Sequence, residues 1–291
     1  MNDADIERYI HLLNDLTVSY DDINEEKGKW LPRHLYRYRT FDCHWRKNLF
    51  KGIVRFNSPT SYNDPFDGWF DYSRVSEILN TELTEEIRDS IRVNNKGIRE
   101  QLKNACFSEK NDNILMWSHY SDGHKGFCIE YETSRIPTII GTFLLPVVYT
   151  KKKYDASHLY LCVTREKHLN EYRKYLTSAA IEEISSIPDD CFENTCLNPS
   201  LFKSADWEYE AEWRLCSNDA MNKKIFELGN DHSIDMLSCI SAVYLGAEFD
   251  ESKNKKNEDK IIEWAKTNNK KIYKMKKSDT EFSLELIPLV E

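Results

Sequence analysis

Nine consecutive residues, Trp207-Glu208-Tyr209-Glu210-Ala211-Glu212-Trp213-Arg214-Leu215, alternate apolar and charged side chains without a break, which is the period of a β-strand. As a strand, they place Trp207, Tyr209, Ala211, Trp213 and Leu215 on one face and Glu208, Glu210, Glu212 and Arg214 on the other. Carboxylates two residues apart on one strand face repel each other unless solvent, a cation or a substrate compensates. A water-exposed sheet face satisfies that condition. So does a site in which a bound cation or a substrate meets these carboxylates.

A second constellation is basic. Between Leu31 and Arg55 stand Arg33, Arg37, Arg39, Arg46, Lys47, Lys51 and Arg55 against a single acid, Asp42, in a chain whose formal net charge is −9. A basic island in an acidic protein suits a compact phosphate-bearing ligand better than a long polyanion, which the remaining surface repels. The alternative is a solvated basic face. If His34–Arg39 is a strand, Arg37 and Arg39 project to one side while Tyr36 and Tyr38 pack on the other.

A third constellation is Ala105-Cys106-Phe107-Ser108 followed by Leu115-Met116-Trp117-Ser118-His119-Tyr120, a strand ending in a hydroxyl just ahead of an aromatic-rich helix. Ser108 is then either a ligand contact or a plain helix cap. Trp117 and Tyr120, three apart, face either the core or a stacked base or nicotinamide. Upstream, the turn-rich Ser58–Gly68 segment supplies side chains that cap backbone N–H groups or bind ligand.

Several chemistries lack their signatures. No Gly-x-Ser-x-Gly elbow is present, and the nine glycines form neither a dinucleotide fingerprint nor a P-loop. Any nucleotide is therefore held by side chains. The eight cysteines include no CxxC pair and read as reduced thiols. Cys191 with Cys196, or His119 with His124, lacks further ligands, so no resident metal is expected. A divalent-metal nuclease, with Asp64 or Asp67 joining Glu210 and Glu212, is a rival reading, although Arg214 stands where such sites usually carry a lysine.

These residues need a scaffold, and the pattern predicts an α+β chain. Periodicity gives a helix within 2–20, interrupted by the polar stretch 21–29, then a strand at 34–39, a helix at 41–51 and a strand at 53–57. Residues 74–104 are helical with a break at 94–97. Strands at 105–108, 127–132 and 143–149 enclose the helix at 114–120. A helix at 166–185 and an irregular connection at 188–204 lead into the carboxylate strand. Strand 240–246, helix 258–268 and strands 271–276 and 282–288 close the chain. The expected organisation is an N-terminal helical extension, 1–30, and one α+β domain, 31–291, with a helical insertion near 74–104. The longest apolar run, 136–149, is interrupted by Pro137, Gly141 and Pro146 and falls short of a membrane span. With no signal-peptide character at the N-terminus, a cytoplasmic location and no membrane partner are expected.

The blocks Leu35-Tyr36-Arg37-Tyr38-Arg39, Phe56-Asn57-Ser58-Pro59 with Asn63-Asp64-Pro65-Phe66-Asp67, Cys106-Phe107-Ser108, Met116-Trp117-Ser118-His119-Tyr120 with His124-Lys125-Gly126-Phe127, Trp207–Arg214 and Val243-Tyr244-Leu245-Gly246 resemble, in this order, the largely bacterial domain of unknown function 2971. More loosely, the chain is similar to the ADP-ribosyltransferase fold, which implies a mixed or antiparallel split β-sheet core. That resemblance implies NAD as substrate, held by Arg37 or Arg39 at the phosphate or ribose and by Ser108 or Ser58 at the nicotinamide ribose. Trp117, His119 and Tyr120 would complete the nucleotide site, and Glu212 with Glu210 would serve catalysis. It further implies an ADP-ribosyltransferase or NAD glycohydrolase, such as a bacterial toxin or anti-phage defence effector, with a protein or nucleic-acid acceptor. A non-catalytic module that senses a nucleotide or nucleic acid is the third reading.

Overall fold

Asn2 opens the chain with a capping box to Asp5, which starts α1 (Asp3–Asn14). Ser19 and Asp22 repeat the device for α2 (Tyr20–Glu26), so the polar stretch expected to break the helix instead starts a new one. Then follow β1 (His34–Arg39), α3 (Trp45–Phe50), β2 (Ile53–Arg55), α4 (Arg74–Leu79), α5 (Glu85–Gln101), β3 (Leu102–Ser108), α6 (Ile114–Tyr120) and β4 (Phe127–Glu132). Next come β5 (Phe143–Pro146), β6 (Val148–Thr150), α7 (Ser157–Glu171), α8 (Ser178–Ser186), α9 (Cys191–Thr195), β7 (Phe202–Ser204) and β8 (Glu212–Asn218). The chain closes with β9 (Ser233–Asp235), β10 (Ile240–Leu245), α10 (Glu251–Thr267), β11 (Lys271–Lys277) and β12 (Leu284–Val290). The computed structural model describes residues 1–79, 82–137, 142–171, 173, 176–218, 232–249 and 251–290. Residues 80–81 of the helical stretch 74–104, 138–141 of the apolar run and 172, 174 and 175 of the expected helix 166–185 lie outside them. Among the described residues no helix is long and apolar enough to cross a membrane.

The fold is α+β. An eight-stranded sheet runs in the order β12-β11-β10-β4-β1-β3-β8-β5, mixed because β10 and β11 are parallel while its other pairings are antiparallel. The pairing is uneven. β1 matches β4 over six residues, and β3 matches β8 over seven, yet β1 and β3 meet at the single pair Tyr36↔Ser108. The two halves of the sheet thus part just beyond that pair, where Arg37 to Arg39 lose a partner on the β3 side. Alternation along β1 sends Tyr36 and Tyr38 to one face, where Tyr38 meets Trp117 edge-on at 5.2 Å. Arg37 goes to the other face and lies 5.2 Å over the Phe107 ring.

Several expected elements differ: the strand expected at 143–149 is β5 and β6, which belong to different sheets, and the helix expected at 166–185 overlaps the end of α7, which starts at Ser157, and α8. Helix α5 runs through 94–97, because its apolar residues Ile87 and Ile98 are buried and Thr84 caps its start; that burial outweighs the ~1 kcal/mol cost of a mid-helix glycine. The segment 188–204 forms α9, a 3-10 turn and β7 rather than an irregular connection. Most consequentially, Ala205–Glu210 is a 3-10 helix capped by the Ser204 side chain, and Ala211 sits in the left-handed region at φ 44°. The strand begins only at Glu212. Alternation gave no warning, since a 3-10 turn followed by one left-handed residue also interleaves polar and apolar positions. The N-terminal helices bury Tyr9, Leu13, Tyr20 and Ile23 in the same apolar cluster as α7.

Gly126, at the entry to β4, passes so close to β1 that a Cβ there would lie 2.1 Å from the carbonyl oxygen of Arg39, whereas a Cβ on Gly97 would meet nothing within 4 Å. Gly126→Ala is expected to cost roughly 1–3 kcal/mol, and Gly97→Ala to gain up to about 1 kcal/mol through helix propensity. Urea midpoints of the two variants check the pair. A neutral Gly126→Ala is incompatible with this approach of β4 to β1.

Candidate functional site

The parting of the sheet opens a cavity of about 220 Å³. Its walls are Tyr36 to Arg39 of β1, Asn104 and Cys106 to Ser108 of β3, Tyr62, Asn63 and Asp67 of the loop after β2, Met116 and Tyr120 of α6, Lys203 of β7, and Glu210, Glu212 and Arg214. The floor is ionic. Arg214 is fully buried and donates all five of its guanidinium N–H groups: Nη1 and Nη2 to Asp67 at 2.8 and 2.5 Å, Nε and Nη2 to Glu212 at 2.9 Å each, and Nη1 to the Ser200 carbonyl at 2.6 Å. Lys203 donates to Glu210 and, at 3.1 Å, to Glu212, with Asp67 3.9 Å away. Three carboxylates against two cations leave one surplus negative charge when all are ionised.

The two glutamates differ in environment. Burial works to raise the Glu212 carboxyl, but the charges of Arg214 and then Lys203 outweigh it and hold the group at about 2. Glu210 is shifted the other way: burial raises it above its usual value, against the charge of Lys203. Its Oε1 accepts from the Tyr120 hydroxyl at 2.6 Å. Lys203 is itself lowered by burial, yet the charge of Glu212 and that of Glu210 raise it overall, so it stays an ammonium. Paired carboxylates driven apart in this way are the arrangement in which one remains an anion while the other exchanges a proton near working pH.

Across the cavity Arg37 is 7% exposed. Burial, and next the charge of Arg39, pulls its guanidinium down to about 9, so it remains a cation at neutral pH. Its Nη1 is buried without a hydrogen-bond partner. A buried guanidinium N–H left unmatched costs free energy that an anionic ligand in the cavity would recover.

The structure brings Arg37, Arg39, Ser108, Tyr120, Glu210 and Glu212 to one cavity. Ser58, Trp117 and His119 do not line it. Ser58 caps the 3-10 turn Pro59–Ser61 and donates to the Arg99 carbonyl at 2.7 Å. Trp117 is fully buried, its indole N–H bonded to the Asn111 carbonyl at 2.7 Å. His119 is exposed, beside the rings of Tyr120 and Tyr209. Ser108 is buried and donates to the Glu210 carbonyl at 2.6 Å, which anchors the turn rather than leaving a free hydroxyl; the cap of α6 is Asn113. Lys203 and Tyr62 were not legible in the sequence as site residues, because no spacing links a lone lysine in a three-residue strand, or a tyrosine in a loop, to a distant carboxylate. Asp67 stood in the sequence only as a metal ligand.

Residues 116–215, about a third of the chain, match the family model described as "Protein of unknown function (DUF2971)", a match that supports the family resemblance drawn from the ordered sequence blocks. No curated protein and no solved structure matches the chain.

The depressed Glu212 carboxyl fixes a pH dependence. Its folded value, about 2, lies below its ordinary 4.5, so its contribution to stability is complete above about pH 4.5 and is lost as pH falls toward 2. Arg214→Met removes the partner of two buried carboxylates and is expected to cost about 3–5 kcal/mol. The gap in stability between wild type and variant should narrow on acidification, as the wild type loses the Glu212 contribution. Urea midpoints at pH 7 and pH 3 check both; an equal gap at the two pH values would show that Arg214 does not hold Glu212 ionised.

Proposed function

We propose that this protein is an ADP-ribosyltransferase-type enzyme that breaks the nicotinamide–ribose bond of NAD. The observation that carries the reading is Arg37, a buried cation with an unpartnered Nη1, among the residues that line the same cavity as the Glu210–Glu212 cluster. One wall thus asks for an anion and the other carries surplus negative charge. A dinucleotide whose phosphates are anionic and whose reacting ribose becomes cationic satisfies both.

The size agrees with one end of such a substrate. At about 220 Å³ the cavity is below the ~300–1,000 Å³ typical of whole small-molecule pockets, so it takes the nicotinamide riboside end, with Arg37 and Arg39 toward the diphosphate. Breaking the C1′–N bond releases neutral nicotinamide and leaves an oxocarbenium-like ribosyl group, which the surplus charge of the cluster stabilises. Glu212 remains the fixed anion. Glu210 takes the proton of the attacking group as its oxygen or nitrogen bonds to C1′; the proton then passes to solvent, and with water as acceptor the same steps give hydrolysis. Such an activity suits a toxin or phage-defence effector.

The donor set supports this reading over a metal nuclease. Asp67, Glu210 and Glu212 already hold Arg214 and Lys203, and among the described residues no group of three or more His, Cys, Asp or Glu could hold a metal ion.

Calorimetric titration with NAD tests the reading. Arg37→Ala is expected to weaken binding by roughly 1.5–3 kcal/mol, the range for a hydrogen bond to a charged group. Glu210→Gln should retain NAD affinity and the melting temperature but lose nicotinamide release by at least about 100-fold. Because the carboxyl is raised, wild-type turnover should fall on acidification through a pH above 4.5 as Glu210 protonates, a limb absent in the variant. Full turnover by Glu210→Gln would remove Glu210 from the chemistry, binding without turnover in the wild type would favour the sensor, and no NAD binding would overturn the reading.

A further inference from the structure

Beyond Lys203 lies a second, larger hollow of about 460 Å³ that shares that lysine as a wall. Its rim carries two rings that a soluble surface ordinarily buries, Phe66 at 65% and Trp69 at 47% exposure. Trp69 meets two cations: the Arg99 guanidinium lies 5.0 Å from the ring centre and the Lys153 ammonium 5.8 Å. Arg99 is fixed in turn by donating to the Asp67 carbonyl at 3.0 Å. Lys153 also lies 5.7 Å from Phe66. Lys151 and Lys152 complete a run of three exposed lysines on this rim, and no ion pair ties any of them to a carboxylate among the described residues.

Exposed rings beside ammonium groups free of ion pairs are how proteins hold single strands of nucleic acid: bases stack on the aromatic faces and phosphates meet the cations. A further feature points the same way. Asp64 lines the hollow, is 5% exposed, and its Oδ2 is buried without a partner. A carboxylate oxygen only accepts, so beyond the nearby charge of Arg99 a donor such as the amino group of a base would satisfy it. The acids here, Asp64 and Asp206, are fewer than the lysines. Two exposed rings and three ammonium groups provide for more than one nucleotide, which favours a strand over a free mononucleotide. Bases inside a duplex cannot reach such rings, and the acidic remainder of the chain discourages a long polyanion.

We propose that the groove of Phe66 and Trp69 beside Lys151, Lys152 and Lys153 seats a single nucleic-acid strand and presents it, across Lys203, to Glu210 as the acceptor. Seating of the strand stands on the groove alone, while the acceptor role rests on the NAD reading. The sides fit. Arg37 and Arg39 belong to the β1 wall, whereas Lys203, a side chain common to cavity and groove, bonds Glu210 and lies 5.0 Å from the Trp207 ring. An attacking group arriving from there meets the ribose on the flank of the proton acceptor.

Fluorescence anisotropy of labelled single-stranded DNA and RNA oligonucleotides of about 12 nucleotides, within the ~4–16 nucleotide range of single-strand sites, tests this with the full chain. Wild type should bind and weaken steeply with salt. Trp69→Ala should weaken binding roughly 5- to 100-fold, the range for loss of one stacked base. Lys151→Ser with Lys152→Ser should reduce the salt slope by about one for each phosphate that a lysine no longer neutralises, and carries the test should Trp69→Ala fail to fold. Both variants should keep wild-type NAD binding, read by separate titration, so that loss of strand binding and loss of NAD binding are told apart. Absence of strand binding by wild type at low salt, wild-type affinity in both variants, or equal binding of duplex or of a mononucleotide would overturn the proposal.

Discussion

The Arg214 guanidinium, fully buried with all five N–H groups bonded, ties together three distant parts of the chain: the loop after β2 through Asp67, the turn before β7 through the Ser200 carbonyl, and the head of β8 through Glu212. A buried ion pair of this kind rarely adds stability over well-packed apolar residues, because removing the charges from water costs about what their attraction returns. What it supplies is geometry. Planar bidentate pairing on two sides admits one orientation of both carboxylates, and the rest of the floor is arranged around that orientation. Lys203 fits between the three acids because Arg214 has already fixed two of them.

The cavity therefore holds two arginines in opposite conditions. Arg214 has every donor matched. Arg37, also deeply buried, has an Nη1 with none, and the Phe107 ring is its nearest compensation. The same side chain thus has every donor matched in one place and a donor left over in another, and only the hydrogen-bond accounting separates them. Residue type alone does not; both are arginines on strands of one sheet.

Legibility from sequence follows the same division. Elements whose burial is periodic were visible: the alternating Tyr and Arg of β1, the helix Ile114–Tyr120, the strand Phe127–Glu132 and the C-terminal strand, helix and strands. The helix α5 was visible except that Asn94 to Gly97 looked like a stop, and tertiary burial of Ile98 overrode it. Glu210 and Glu212 were legible as a pair, but for an incomplete reason. They converge because Ala205–Glu210 turns as a 3-10 helix and Ala211 takes a left-handed conformation that only context enforces, not because one strand carries both. Ser108 was legible as a residue of the site and misread in role, since its hydroxyl is used to hold that turn. Lys203 was invisible because a lone cation gains meaning only from partners far along the chain.

The position of the site follows from the sheet itself. Fully paired strands lie about 4.8 Å apart and leave no room between them for a ligand, so a cavity inside a sheet requires that the pairing fail somewhere. It fails between β1 and β3 after the single pair Tyr36↔Ser108. Beyond it β1 presents Arg37 and Arg39, and β3 hands the chain to Ser108, whose hydroxyl bonds the turn instead of a neighbour on β1. The turn carries Glu210 to the gap, and β8, paired with β3 along its whole length, brings Glu212 and Arg214 to the same cavity, where Arg214 holds Asp67 of the loop after β2. The gap is thus a place in this sheet where backbone, cation and carboxylate line the same volume, and the proposed ligand, anionic at one end and cationic in its transition state, would sit where the strands part.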